Sequence, residues 1–530
     1  MSTLTSRWLD RATDSHVAVL DGAGAHAYAE VVAGSMRVAA ALLGGRSSLD
    51  GERVAVLIAP GARFVEAFFG VLLARGCVVV LSPLHPAPET RYFCGDAEVR
   101  TVLVSAEHAA LAAPLAAMCA VRSVEALVDP DRADAVRAAA LGTRDDSPAL
   151  QLYTSGTTGK PKGAVITHHN LAMQQQLVGE AWGFGPSDTL LHALPLHHMH
   201  GLAIALLTAL GAGAATRLTT FDAPAIWEAM KDVTVFLGVP AMYHRLFVSY
   251  GAADGATQAR WASHARALRL ATSGSAALPV TLASQWRELT GNIPLERFGM
   301  TEIGVGITNR LDGERFPGCV GYPLPTVEAR IVGEDGAPAD VGELWIRGPS
   351  VFAGYHRRED ETRAAFAPDP DGGAPWFKTG DTVTRDVSAA TPASPASPAS
   401  RAAPASPASA PFKILGRTRV DILKSGGYKL SALEIEEVLR EHPGVDEVAV
   451  IGVPDEAWGD RVVACVVRKD CVPSCDAAEL RAFVRQKLAP YKVPKDVVFV
   501  AKLPKNALGK VVKPDLLIQI CAAAPVAKPV

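Results

Sequence analysis

The chain has 530 residues, of which 49% are hydrophobic and 20% are charged, and its formal net charge at pH 7 is −3. This length exceeds what one hydrophobic core supports, so we expect at least two domains. The small net charge argues against nucleic acid or an anionic membrane surface as the main partner, and every apolar run is shorter than the roughly 18 residues that a transmembrane helix needs.

The cysteines and the amino-terminal sequence bear on the compartment. The cysteines are spread from Cys77 to Cys521 without a C-x-x-C pair, which favours a reducing compartment over a zinc or disulfide framework. Residues 1–17 lack the apolar core of a secretory signal and mix acidic with basic side chains, unlike a typical transit peptide. We therefore expect a cytoplasmic protein, with a mitochondrial location as the alternative.

The first periodic segments alternate between strand-like and helical patterns. Residues 54–58 and 77–81 are short apolar runs, and residues 63–74 between them have helical character. Strand–helix–strand alternation of this kind predicts an α/β fold with mostly parallel sheets that are covered on both faces.

The densest group of ligand-binding side chains lies in residues 154–163, TSGTTGKPKG. Apolar runs flank the segment, so we expect a loop between two strands. Its glycines let backbone amides approach an anion closely, and Lys160 and Lys162 add positive charge. The spacing differs from the Walker loop, in which four residues separate the first glycine from a Gly-Lys pair followed by Ser or Thr. The segment predicts a polyphosphate-binding loop, with a flexible surface loop as the alternative.

This string resembles the signature phosphate loop of the adenylate-forming superfamily, which includes acyl-CoA synthetases, luciferases and the adenylation domains of peptide synthetases. The resemblance implies a large N-terminal domain, a small mobile α+β C-terminal domain, and ATP as a substrate. In this loop it assigns ATP binding to Thr154, Ser155, Gly156, Thr157, Thr158, Gly159, Lys160 and Lys162.

Two later segments are candidates for the pocket that binds the acid. Residues 195–201, PLHHMHG, hold three histidines, but no nearby cysteine or His-x-x-x-His partner completes a zinc site. The resemblance places His198 at the wall of the acyl pocket. In residues 239–246, VPAMYHRL, Pro240 is expected to open a helix with Arg245 about one and a half turns in. Such an arginine, considered alone, more often forms a surface ion pair.

Two small-residue and polar motifs follow in chain order. Residues 272–278, TSGSAAL, are explained without function as a strand-to-helix turn, whereas the resemblance assigns Ser273 and Gly274 to the acid and Ser275 and Ala276 to the nucleotide. In RFGMTE, a carboxylate beside a phosphate loop is explained by a magnesium ion that bridges it to the phosphates. By resemblance Glu302 is the Mg2+ ligand and acts in catalysis with Thr301, and ATP contacts come from Arg297, Phe298, Gly299, Met300 and Thr301.

Residues 376–381, WFKTGD, resemble the ribose-binding motif of the superfamily. A carboxylate accepts hydrogen bonds from two hydroxyls at once, and the resemblance assigns this task to Asp381 together with Arg417. Between them, residues 388–411 form a Pro/Ala/Ser segment that is too poor in apolar side chains to fold alone. We expect an inserted surface loop rather than an interdomain linker, because its two flanking motifs lie close together in the superfamily.

The remaining sequence predicts a small α+β domain. Ser431 and Glu434 form a capping-box pattern that opens a helix to about residue 442, residues 447–453 and 461–467 resemble strands, and another helix follows residue 477. We place the domain boundary between residues 419 and 420. Residues 1–419 then form the AMP-binding domain with its insertion, and residues 420–530 form the mobile domain.

The resemblance also assigns functional residues within this small domain. Asp421 is the expected hinge, and Gly426 and Gly427 face the tunnel for the CoA thiol arm, where missing side chains leave room. Lys510, in LPKNALGKV, matches the adenylation lysine of the superfamily. Its expected work is electrostatic, because it would bridge the carboxylate of the acid and the α-phosphate as charge builds up.

The combination of PLHHMHG, VPAMYHRL, SGSAAL and RFGMTE resembles malonyl-CoA synthetases in particular, over residues from about 145 to 515. In that family the arginine that corresponds to Arg245 binds the far carboxylate of a dicarboxylic acid, and a buried carboxylate does need a charged partner. We therefore expect AMP-forming ligation of malonate to CoA with ATP and Mg2+, by a monomer or homodimer. Methylmalonate is left open as a substrate.

Other functional classes share some of these motifs. A short- or medium-chain fatty acyl-CoA synthetase shares every nucleotide motif and is the main alternative. A peptide-synthetase adenylation domain would be followed by a carrier segment, which is absent after Lys510, and a luciferase would need a pocket for a bulky aromatic substrate. A binding protein without activity is expected to lose Lys510 or Glu302, and both are retained.

Overall fold

A computed structural model of the chain describes residues 1–127, 132–154, 161–386, 410–418, 420–425, 428–455, 458–469, 475–488, 490–506 and 509–523. Across these ranges, no helix combines the length and the apolar character that crossing a membrane requires.

The amino-terminal part alternates helices and strands. Its elements are α1 (Thr3–Leu9), β1 (Val17–Asp21), β2 (Gly24–Ala27), α2 (Tyr28–Leu43), β3 (Arg53–Leu57), α3 (Ala62–Leu73), β4 (Cys77–Val80), α4 (Ala87–Asp96), β5 (Thr101–Val104), α5 (Ala109–Ala112), β6 (Ala120–Ser123), α6 (Ala133–Leu141), β7 (Pro148–Thr154) and β8 (Lys162–Thr167). The strand–helix–strand pattern predicted for residues 54–81 is confirmed as β3, α3 and β4. Every residue of α3 except Arg63 is buried, as a helix between packed layers requires.

The middle part carries most of the motifs. Its elements are α7 (His168–Ala181), β9 (Thr189–His192), a π-helical segment (His200–Leu207), α8 (Thr208–Ala212), β10 (Ala215–Leu218), α9 (Ala223–Ala229), β11 (Val235–Gly238), α10 (Pro240–Ala252), α11 (Gly255–Arg266), β12 (Leu270–Ser273), α12 (Val280–Thr290), β13 (Leu295–Met300) and β14 (Gly304–Thr308). Pro240 opens α10 as predicted, because the first helical position lacks an intrahelical partner for its N–H in any case.

The last part contains β15 (Cys319–Pro323), β16 (Glu328–Val332), β17 (Val341–Arg347), β18 (Gly354–Tyr355), α13 (Glu359–Ala365), β19 (Phe366–Ala367), β20 (Trp376–Arg385), β21 (Phe412–Arg417), β22 (Ile422–Ser425), β23 (Tyr428–Ser431), α14 (Ala432–Arg440), β24 (Val445–Asp455), β25 (Gly459–Arg468), α15 (Ala477–Lys487), β26 (Asp496–Phe499) and α16 (Lys513–Ala523). Short 3-10 turns lie at Ala106–His108, Ala113–Leu115, Met230–Asp232 and Pro490–Lys492. The helix and two strands predicted between residues 431 and 467 are confirmed as α14, β24 and β25.

Two sheets carry the strands before residue 418. One has the order β18-β8-β7-β4-β3-β5-β6, and the other runs β16-β17-β20-β21-β15-β14-β13-β12-β11-β9-β10-β1-β2, with β19 beside β20. Neighbours from β7 to β6 and from β13 to β1 are parallel. The predicted α/β class with sheets that are mostly parallel in their cores is therefore confirmed. Ligands of such sheets bind at the carboxyl ends of the strands, where Ser273 and Met300 lie.

The third sheet has the order β23-β22-β25-β24, with β26 parallel to β25. Helices α14 and α15 bury Ile435, Leu439 and Leu480 against one face. Leu503 and Leu516 of the carboxyl-terminal segment pack with the opposite face. This smaller α+β unit therefore has apolar cores of its own, in agreement with the fold class expected for the C-terminal part.

The strands on either side of the low-complexity segment pair directly with each other. In the antiparallel pair β20–β21, Arg385 lies opposite Phe412 and Asp381 lies opposite Arg417. The prediction that the two flanking motifs lie together is confirmed. The insertion itself, predicted at residues 388–411, falls almost entirely outside the described residues.

Candidate active site

The predicted phosphate loop connects two antiparallel strands. Thr154 ends β7 directly opposite Lys162 at the start of β8, so a loop between two strands is confirmed by its ends. Its phosphate contacts remain a prediction, because the central residues lie outside the described part of the chain: Ser155, Gly156, Thr157, Thr158, Gly159 and Lys160.

Lys162 lies beside a tyrosine that the sequence analysis did not select. Its Nζ is 5.2 Å from the centroid of the Tyr355 ring, and the Tyr355 hydroxyl donates a 2.9 Å hydrogen bond to Oε1 of Glu302. Tyr355 reaches this position because β18 pairs with β8, with Tyr355 opposite Ala164. No motif marks Tyr355 in the sequence, so only the strand pairing identifies it.

Glu302 is the buried carboxylate of this group, with 5% of its surface exposed. Burial raises its pKa, against the opposing effects of the Tyr355 hydrogen bond and the charges of Arg417 and Lys162. A magnesium ion fits here, since Mg2+ prefers oxygen ligands and usually binds through one or two carboxylates plus phosphates. Among the described residues no group of three His, Cys, Asp or Glu side chains could hold a metal alone. Glu302 would therefore supply one protein carboxylate to a cation that oxygens of ATP also bind.

Asp381 and Arg417 meet across neighbouring strands. Nε of Arg417 lies 3.1 Å from Oδ1 of Asp381, while Oδ2 of this buried carboxylate has no hydrogen-bond partner among the described residues. Burial raises the pKa of Asp381 to about 6, although Arg417 and Lys510 act to lower it. Because buried acceptors are normally paired, Oδ2 is suited to a hydroxyl of a ligand.

This pKa has a consequence for the pH dependence of nucleotide binding. Only the ionised carboxylate accepts hydrogen bonds with both oxygens, and below the pKa the ionised fraction falls about tenfold per pH unit. We expect the KM for ATP to rise as the pH falls through about 6. Asp381→Asn should give a higher KM without this dependence. Initial rates at saturating carboxylic acid and CoA over roughly pH 5 to 8 measure both KM values. If the KM for ATP of Asp381→Asn still rose at low pH as in wild type, another group would be responsible for the pH dependence.

Arg297 on β13 is a buried positive charge in the site. It is 5% exposed, burial lowers its pKa to about 10, and its Nε and Nη2 have no partner among the described residues. A Cβ built on Gly274 would lie 2.5 Å from its Cζ, so the guanidinium packs against the backbone of the segment assigned to the acid. Since buried charges are normally paired, Arg297 is suited to an anionic ligand.

The neighbouring histidines are neutral at pH 7. Nδ1 of His200 lies 3.0 Å from Oγ of Ser275, and burial, reinforced by Arg297, holds the pKa of His200 well below its usual value. His198, the histidine selected from the sequence, instead lies beside His197, with ring centroids 4.2 Å apart. Burial lowers the pKa of His197 to about 3 and that of His198 to about 4. His200, which contacts the predicted nucleotide residue Ser275, was not among the residues predicted from the sequence.

The other motif residues lie at or just after strand ends. The buried Ser273 ends β12 with its hydroxyl unpartnered among the described residues, and Ala276 is exposed in the turn that follows. Phe298, Gly299 and Met300 complete β13. Thr301 comes next, directly before Glu302. The roles assigned to them by resemblance remain predictions.

Arg245 lies on the exposed side of α10, whereas Met242, Tyr243 and Leu246 point into the core. Its Cζ is 4.6 Å from the centroid of the Phe221 ring, a cation–π contact. No carboxylate of the described residues forms an ion pair with it. The structural alternative for Arg245, a surface ion pair, therefore finds no support in the described part of the chain.

Lys510 reaches the site from the small C-terminal unit. A Cβ built on Gly509 would lie 2.7 Å from Cβ of Ala241 at the start of α10. Although much of its surface is accessible to solvent, surrounding protein atoms lower the pKa of Lys510, and Arg417 lowers it further, against Asp421 and Asp381. The lysine thus lies within electrostatic range of the Asp381–Arg417 pair, and its role in adenylation remains a prediction.

Asp421, the predicted hinge, closes a tight turn that begins at Arg417. Its backbone N–H donates to the Arg417 carbonyl at 2.8 Å, and its Oδ2 accepts from the Arg417 N–H at 3.0 Å. Gly426 and Gly427, predicted to face the CoA tunnel, lie between β22 and β23 and outside the described residues. Both assignments remain predictions.

Comparison with known proteins agrees with this arrangement. Residues 6–356 match the family described as AMP-binding enzyme, and residues 434–510 match the AMP-binding enzyme C-terminal domain. The chain is 37% identical to the mitochondrial malonate–CoA ligase of Bos taurus, over 95% of this chain and 88% of the relative. ATP-bound MatB from Rhodopseudomonas palustris superposes with a TM-score of 0.82 at 33% identity, covering 99% of both chains.

A second solved structure superposes less closely on this chain than the ATP-bound structure does. It is a ternary product complex of malonyl-CoA ligase with methylmalonyl-CoA and AMP, 34% identical over 95% of this chain and all of that one. Its TM-score is 0.64, although its identity is close to that of the ATP-bound structure.

Proposed function

The chain belongs to the AMP-binding enzyme family, the adenylate-forming acid–thiol ligases, and from this premise we propose that it ligates malonate to CoA with formation of AMP. Methylmalonate is the nearest further substrate, since one methyl group changes binding by only about 1–3 kcal/mol. A short- or medium-chain fatty acid is the alternative substrate class.

The observation that carries the proposal is the geometry of one face of α10. Ala241 and Arg245 are four residues apart, so they share a face and lie roughly 6 Å apart along the helix. The Lys510 segment touches this face at Ala241, and Arg245 stands one turn further on without an ion pair among the described residues. An acid whose reacting carboxylate meets Lys510 has room for only a short chain before a second carboxylate reaches Arg245.

The buried Arg297 supports an anionic substrate as well. The resemblance assigns Arg297 to ATP. The contact of Arg297 with Gly274 and its proximity to His200 instead associate it with the residues assigned to the acid. We extend the proposal to Arg297 as a second cation for the dicarboxylate. A fatty acid would leave this guanidinium buried without a counter-charge, which is unfavourable.

In the first step the carboxylate of malonate attacks the α-phosphorus of ATP, which forms malonyl-AMP and releases pyrophosphate. Lys510 bridges the reacting carboxylate and the α-phosphate, and Arg245 and Arg297 bind the far carboxylate. Asp381 and Arg417 hold the ribose. Glu302, oriented by Tyr355, would bind Mg2+, which neutralises phosphate charge when bound. These groups act by positioning and by electrostatic stabilisation of the transition state.

In the second step the thiol of CoA loses its proton, attacks the acyl carbon of malonyl-AMP and expels AMP. The small domain, residues 420–530, rotates near Asp421 between the steps and withdraws Lys510, a domain movement of the kind that gates many enzymes. The higher TM-score against the ATP-bound structure than against the product complex is in line with an adenylation arrangement here. Gly426 and Gly427 would line the thiol path.

We propose a cytoplasmic monomer or homodimer, with a mitochondrial location as the alternative because the Bos taurus relative is named a mitochondrial enzyme.

Arg245→Leu tests the acid specificity directly. We expect kcat/KM for malonate to fall about 10- to 100-fold, the size of a lost charge-assisted contact, with little change for propionate or butyrate. Rates of AMP formation with ATP, CoA and a panel of acids measure this. Arg363→Leu, at an exposed arginine of α13, is the matched control and should behave as wild type. If the wild-type enzyme used octanoate or cinnamate far better than malonate, the substrate proposal would be wrong.

A further inference from the structure

Lys513, the first residue of α16, is a charged side chain inside the small unit. It is 8% exposed, and its Nζ lies 2.5 Å from Oδ1 of Asp421 and 2.7 Å from Oε1 of Glu436. Burial lowers its pKa, but the two carboxylates more than offset this, so the pKa is raised. Buried ion pairs of this kind add little stability compared with apolar side chains, so the arrangement calls for another explanation.

The carboxylate of Asp421 joins two parts of the site. Oδ1 binds Lys513, which is three residues after Lys510, and Oδ2 binds the backbone N–H of Arg417. Arg417 in turn pairs with Asp381. The carboxylate of Asp421 therefore links the Asp381–Arg417 pair to the chain segment that carries Lys510.

The carboxylate of Asp421 also competes with the substrates for the ammonium of Lys510. Its charge lies close enough to raise the pKa of Lys510, as does that of Asp381, whereas Arg417 and Lys513 lower it. Without the ammonium of Lys513, Asp421 would be an uncompensated buried carboxylate, and Lys510 would be the nearby cation free to neutralise it. Lys510 would then be drawn away from the acid and the phosphate.

We propose that Lys513 is a positioning residue for adenylation. Its ammonium neutralises the carboxylate of Asp421 and fixes the turn from Arg417 to Asp421, and Lys510 therefore stays available to the substrates. The contact between Asp421 and the Arg417 N–H must break when the turn pivots, while the Lys513–Asp421–Glu436 cluster belongs to the small unit. Lys513 therefore acts in the first half-reaction and not in the second. This inference depends on adenylation itself and holds whichever acid the enzyme prefers.

The test separates the two half-reactions in the full-length enzyme with the acid it uses best. Acid-dependent exchange of pyrophosphate into ATP measures adenylation, and synthetic acyl-adenylate with CoA measures thioester formation. We expect Lys513→Met to lower the exchange rate about 10- to 100-fold, the cost of a small misplacement of a catalytic group, and to leave thioester formation within about twofold. Retained thioester formation also shows that the small domain of the variant is folded.

Two further variants make the outcome decisive. Lys505→Met removes an ammonium of the same segment that pairs with Glu447, and it should leave both half-reactions unchanged. Asp421→Asn combined with Lys513→Met removes the competitor as well, and it should recover part of the exchange activity lost in Lys513→Met. Equal losses in both half-reactions, an unaffected exchange rate, or a double variant no better than the single one would each overturn the proposal.

Discussion

Replacing Lys510 with methionine should reduce adenylation about 100- to 1,000-fold, the loss typical of removing one preorganised group that stabilises charge in the transition state. Methionine keeps the length of the side chain but lacks the ammonium, so the contact between the Gly509 backbone and Ala241 should survive. Thioester formation from synthetic acyl-adenylate should change little, because in the proposed mechanism Lys510 leaves the site before that step. Pyrophosphate exchange and thioester formation, measured on the same preparation, give the comparison.

Lys502→Met is the matched control, because Lys502 is an exposed lysine of the same segment. It should match wild type in both half-reactions. A loss below about tenfold in Lys510→Met would contradict the electrostatic role. An equal loss in both steps would indicate a role in folding or in the movement of the small domain.

Arg297→Met should have two opposite effects. Removal of a buried guanidinium whose Nε and Nη2 have no partner in the described part of the chain should raise the free energy of unfolding by about 1–3 kcal/mol, since apolar replacements of buried charges are often stabilising. At the same time kcat/KM for malonate should fall about 10- to 100-fold, the value of a hydrogen-bonded charge contact. Urea denaturation of the unliganded enzyme and steady-state rates measure the two effects.

Arg297→Lys is the control for this prediction, since it keeps the charge and should not stabilise the protein. Propionate and butyrate decide which ligand Arg297 serves. If activity with malonate falls while activity with the monocarboxylates is retained, the arginine binds the far carboxylate. If Arg297→Met lowers activity equally with every acid, Arg297 serves ATP, as the sequence analysis first assigned it.

The sequence predicts the parts of this enzyme that depend on local pattern. Strand–helix alternation in residues 53–80 and the opening of α10 at Pro240 follow from apolar spacing and proline geometry, and both are found. Asp381 and Arg417 were also expected to meet, and β20 and β21 bring them into direct register. Motifs carry this information because their residues must stand in fixed positions around one nucleotide.

Contacts made by pairing distant segments could not be predicted in this way. Tyr355 reaches Glu302 only because β18 adds to the edge of β8. Lys513 meets Asp421 across 92 positions of sequence. His200 was passed over for His198 because three histidines in one short motif look alike until the backbone turns one of them toward Ser275. Burial, which makes Arg297 chemically unusual, is likewise a property of the folded chain.

The pairing of β20 with β21 also determines which changes of chain length the enzyme tolerates. Asp381 and Arg417 are aligned by ladder hydrogen bonds, with Arg385 and Phe412 at the far end of the pair. The entropy of closing a loop grows only with the logarithm of its length, so doubling the connection would cost only about 0.6 kcal/mol. Slippage of DNA copying would therefore add or remove Pro-Ala-Ser units between these strands during evolution without changing the register that places Asp381 opposite Arg417.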